Sequence, residues 1–217
     1  VNTAQQDGHH GPHDMVEALV AADGSARHPH VRRLLEPRAP RRDLADALHA
    51  LCAVHGHHPG MIDAALTHCA QPDACEWLGD LAASFAAERT VLAQLIAAAG
   101  PLPSTPGQAE SEQALAGVRH ALEMLAHSDR GGCATGAAAA LAADWHAIRD
   151  VIARAADSFG IELSDHAAVP PARTIAALTM LGANPPAERA MGFGARQLLA
   201  QHRGLWDLLE ARASARS

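Results

Sequence analysis

No lysine and no tyrosine occur in the 217 residues, and phenylalanine and tryptophan number three each. Without a lysine amine there can be no Schiff-base chemistry and no phosphate-cradling P-loop. Aromatic residues are 3% of the chain, and Val, Ile and Thr are sparse, so the residues that favour strands are in short supply. The four cysteines, Cys52, Cys69, Cys75 and Cys133, form no CxxC pair, and unpaired cysteine is commonly a small buried residue. Neither GxGxxG nor the Walker pattern is present. The longest apolar run, around GAAAALAA, is too short to span a bilayer. A formal charge of -7 argues against a nucleic-acid-binding surface.

What is there favours helix. Alanine makes up about a quarter of the chain, and it loses no side-chain entropy on entering a helix. Hydrophobic residues are 48% of the total and the mean hydropathy is -0.05, enough for one filled core in one domain. The expected fold is all-α: a polar tail over residues 1–13, then a single helical domain over 14–217. The alanine load and arginine-only basicity point to a GC-rich bacterial genome. The opening residues, VNTAQQDGHHGPHD, are polar, which predicts no leader and a cytoplasmic protein. Arg32, Arg33, Arg38, Arg41 and Arg42, with His28 and His30, form a basic neck that reads as a solvated strip.

Start and stop signals divide the chain into helices. Asp14 with Glu17 opens a short one that Gly24 closes. Further short helices follow from Pro29, from Pro40 to His55, and through MIDAALTHCA. Longer ones are expected at about 72–99, 106–127, 130–158 and 185–212. The Pro-rich crossing GPLPSTPGQ separates the first two, SDRGG precedes the third, and Asn184-Pro185 caps the fourth. Asp129 is the expected cap of the third.

Polar residues interrupt the apolar stripes. Glu88 stands in the stripe Leu78, Leu81, Phe85, Leu92, Leu95, Asp144 lies beside Trp145, and His202 lies between Leu198 and Leu205. Glu112 precedes Leu115 by one turn, and His55 follows Leu51. A buried carboxylate costs several kcal/mol unless paired or metal-bound. One reading is therefore a metal site of Glu88, Asp144 and His202, with Glu112 or His55 added, holding iron or manganese. The other is a buried hydrogen-bonded network, such as Glu88 with an arginine or His202 with a carboxylate. The nearest spacings to a metal motif are Asp46/His49, Glu123/His127 and Glu162/His166, and E-x-x-H is absent. His9, His10 and His13 in the tail and His55, His57 and His58 around a turn offer further imidazoles. Gly132, Gly136 and Ala140, at four-residue spacing, leave one helix face nearly bare. That face suits close helix packing, a flat ligand, or a homodimer contact.

The long helices, the Pro-rich crossing and the seam polars resemble the ferritin-like helical-bundle class, an up-down bundle with extra short N-terminal helices. A haem-oxygenase-like helical fold is the competing architecture. The stretch from GPLPSTPGQ through ADWHAIRD also resembles a family of uncharacterised bacterial helical proteins, which implies no activity. The expected function is binding of a partner or small ligand without catalysis, with no nucleic acid and no membrane involved. The alternative is a metal-dependent oxidoreductase centred on Glu88, Asp144 and His202.

Overall fold

A computed structural model describes residues 11–102, 107–163 and 169–216. His9, His10 and His166 lie outside them. Among the described residues there are helices and turns and no strand, so the all-α expectation holds. The helices are α1 (Pro12–Asp23), α2 (Pro29–Leu34), α3 (Arg41–His55), α4 (Met61–His68), α5 (Cys75–Ala99), α6 (Gln108–Ala126), α7 (Cys133–Phe159), α8 (Pro171–Leu181) and α9 (Pro185–Ser214). A short 3-10 turn, Ser25–Arg27, joins α1 to α2.

Local chemistry sets the helix ends. Pro12 opens α1 two residues ahead of the Asp14 start signal, because a proline at the first position loses no helical hydrogen bond. The Asn184 side chain accepts from the Ala187 N–H and caps α9. The cap of α7 differs from expectation: Gly132, at φ +102°, holds that position. Asp129 instead faces His68, 3.0 Å away. The left-handed backbone suits glycine, and a Cβ at Gly132 would lie 2.5 Å from the Ala187 carbonyl oxygen.

The long helices pack around one core, and α7 with α9 form its most extensive pair. Gly132 meets Ala187, Gly136 meets Met191 and Asp144 meets His202, so α7 and α9 run parallel. Phe85 against Trp145 and Glu88 against Arg149 align α5 with the same direction. Helices α3 and α6 run the other way, since His55 lies by His202, Asp43 by Arg216, and Gln108 by Arg212. Direction thus alternates through α5, α6 and α7, and α8 supplies the return that lets α9 start beside α7.

The small-residue face is consumed by this packing. A Cβ at Gly136 would sit 2.0 Å from the Met191 carbonyl oxygen, and one at Gly194 would sit 2.0 Å from that of Cys133. Ala140 is fully buried. Helix α9 occupies the space that a flat ligand or a second chain would need at Gly132 and Gly136. Helix α5, with the turn before it, is long and apolar enough to cross a membrane, but Trp77, Leu81, Leu92 and Leu95 on it belong to the core.

Candidate functional site

Where α3, α7 and α9 meet, the core turns polar. Asp144 on α7 and His202 on α9 are 1% and 2% exposed, and His202 Nδ1 stands 2.7 Å from Asp144 Oδ2. An ionised carboxylate only accepts, so Nδ1 carries the proton and donates. The same carboxylate receives the Ser25 N–H and the Ser25 Oγ–H, each at 2.6 Å. Trp206 Nε1–H donates to Ser25 Oγ at 2.8 Å. Gly24 permits this approach, because a Cβ there would lie 2.7 Å from Asp144 Oδ1. Burial alone pushes the Asp144 carboxyl upward, yet the bonds from His202 and Ser25 outweigh it and hold the group below its usual range.

His55, at the C-terminal end of α3, completes the centre. Its ring crosses that of His202 at 89° with 5.1 Å between centroids, and that of Trp145 at 80° with 5.2 Å. Burial, then the neighbouring His202, push the His55 pKa well below 6.5, so the imidazole is neutral near pH 7. Among the described residues, His55 Nε2, His202 Nε2 and Trp145 Nε1 are all buried without a hydrogen-bond partner. Buried polar atoms are normally satisfied, so three orphans around touching rings mark an unusual place.

The structure brings together some of the residues singled out from sequence and separates others. Asp144, His202 and His55 converge. Glu88 is buried as its stripe requires, but Arg149 Nη1 lies 3.0 and 2.9 Å from its two oxygens. Glu112 is exposed on α6 and accepts from Gln108 at 2.8 Å. His57 and His58 lie on the surface turn, beside Arg119 and Asp63. Of the near-motif pairs, Asp46 is buried and ion-paired with Arg216 at 2.6 Å, while His49 Nε2–H donates to the Gly100 carbonyl.

Sequence reading did not single out Ser25 or Trp206; its network alternative expected an arginine against Glu88, and the structure identifies it as Arg149. Trp206 carried the one usable signal: an indole N–H next to a buried stripe needs an acceptor. It also missed the grouping of His28, Asp207 and Glu210, whose ligand atoms lie within 4.8 Å of one another. Local bonds close that cluster. His28 Nδ1 accepts the His30 N–H, which places the ring proton on Nε2, facing Asp207 at 2.9 Å, and Arg33 holds Glu210 at 2.6 Å.

A second feature opens nearby on the surface. A cavity of about 160 Å³ lies between α3, α6 and α9. Ala50, Ala53, Leu102, Leu115, Leu208 and Leu209 make its apolar wall; Asp46, His49, Gln108, Glu112 and Arg212 make its polar one. Asp46 is neutralised by Arg216, with Arg212 3.7 Å away, and Arg212 also donates to Gln108 Oε1 at 3.0 Å.

No curated protein and no solved structure matches this chain. A protein-family profile described as a family of unknown function, DUF6975, matches residues 20–217. That span takes in every element from the end of α1 onward, the polar centre and the cavity included, and the chain belongs to the family of unknown function DUF6975.

Proposed function

We propose that this protein binds a small amphipathic cation in the cavity between α3, α6 and α9, and that binding is its task. The carrying observation is the two-sided wall of that cavity. Its volume is close to the roughly 150 Å³ that accommodates a benzene-sized molecule, and well below the ~300–1,000 Å³ of drug-sized sites. Nucleotides and haem are therefore too large. Of the two carboxylates on the polar wall, Glu112 accepts from the neutral amide of Gln108, whereas Asp46 faces two arginines. A ligand with an ammonium head and a short hydrocarbon body matches a carboxylate beside leucine side chains.

Butylammonium is a suitable probe, with butanol as its uncharged counterpart, read by amide chemical shifts. Saturable shifts confined to α3, α6 and the C-terminal half of α9 are expected for the amine, weakened at least tenfold in Glu112→Gln. Equal responses to both probes, or insensitivity to Glu112→Gln, would remove this reading.

A metal-dependent oxidoreductase built on Glu88, Asp144 and His202 draws less support. Arg149 holds Glu88, and Asp144 is engaged by Ser25 and His202. The imidazole pair is the part of that reading with independent support. The ferritin-like likeness draws support from the alternating long helices. The expected cytoplasmic location meets a disulfide, Cys69–Cys75, of a kind that persists in oxidising surroundings.

A further inference from the structure

We infer that His55 and His202 form a buried site for a divalent ion of the zinc class, with Asp144 as the carboxylate behind His202. The site is separate from the surface cavity, and it rests on which atoms lack partners. The proton of His202 is committed to Asp144, so in the neutral ring Nε2 presents a lone pair to the interior with nothing to receive it. A histidine that ligates zinc through one nitrogen while its other N–H donates to a carboxylate is the usual arrangement, because the carboxylate fixes the tautomer and raises ligand basicity. Here Ser25 and Trp206 fix the carboxylate in turn.

His55 offers the second lone pair when its ring proton sits on Nδ1. Its Nε2 is unpartnered and its ring touches that of His202, with the 5.1 Å between centroids short enough for both nitrogens to reach one ion at ~2.0–2.1 Å each. Trp145 Nε1 is a donor only, and it too lacks an acceptor. Two acceptors and one donor suit an ion that carries a water-derived ligand. Charge points the same way. Asp144 and a bound hydroxide together balance the two positive charges, and zinc lowers the pKa of its water to about 7.

The test uses the full-length protein labelled with ¹⁵N and refolded with one equivalent of zinc sulfate, since a buried site loads as the chain folds. Long-range imidazole correlations should show Nε2 of both His55 and His202 moving to metal-bound positions with the first equivalent, and the thermal midpoint should rise. His55→Gln should weaken zinc binding at least 100-fold with the helical circular dichroism retained. Glu210→Gln, in the His28 cluster, should leave it unchanged. Unmoved Nε2 signals in the unmutated protein would overturn the inference, whether zinc goes to other histidines or to none. That spectrum decides the matter even if His55→Gln fails to fold.

Discussion

His55 shows how one side chain can tie stability to pH. Its pKa lies well below 6.5 in the folded chain and near 6.5 in the unfolded one, so between those values the unfolded state binds more protons. The stability that depends on a neutral His55 is therefore complete above about pH 6.5 and is lost as pH falls toward the folded value. Urea unfolding of metal-free protein between pH 7 and 5 should show a declining free energy. His55→Gln should flatten that slope by up to about 1.4 kcal/mol per pH unit. Parallel pH profiles for the two proteins would place the titration elsewhere. Part of this centre was legible in sequence: a histidine and a carboxylate on apolar stripes have to be buried. Their partners were not, because Ser25 is 119 positions from Asp144 and no periodicity links them.

Glycines separate helix propensity from helix packing. Among the described residues a Cβ at Gly79 in α5 would meet nothing within 4 Å, whereas one at Gly136 in α7 would sit 2.0 Å from the backbone of α9. Gly79→Ala should raise the unfolding free energy by about 0.5–1 kcal/mol through helix propensity alone. Gly136→Ala should lower it by about 1–3 kcal/mol or more, because backbone must move to admit the methyl group. Urea midpoints of the two variants check the pair, and a stabilised Gly136→Ala would show that α7 and α9 are not so closely packed. Most helix ends were legible, since Asn184 caps α9 through its side chain and Gly160 ends α7 through its left-handed backbone, whereas α1 begins at Pro12, ahead of the expected Asp14. The α7 start is not legible locally, because Asp129 has the chemistry of a cap yet faces His68, 61 positions away in sequence but beside it in the fold, and Gly132 takes the cap.

At the scale of the whole molecule, the Cys69–Cys75 bond clips α4 to α5, leaving Cys52 and Cys133 as thiols. Burial pushes the Cys52 thiol up, making it a poor nucleophile. Thiol titration under denaturing, non-reducing conditions should therefore find two reactive groups, and four after reduction. Closing so short a loop contributes about 2 kcal/mol in the chain-entropy account, so reduction should lower the unfolding free energy by that order. Four thiols before reduction would instead favour the cytoplasmic expectation. Composition and local signals determined an all-helical chain, the approximate helix limits, and the burial of Glu88, Asp144 and His202, because helix propensity, capping and 3-4 periodicity all act within a few turns. Only tertiary structure decided that Glu88 belongs to Arg149, that Asp144 belongs to His202, and that α9 lies parallel to α7 on its glycine face. Those outcomes depend on the register between helices, which close backbone approach and long-range hydrogen bonds set.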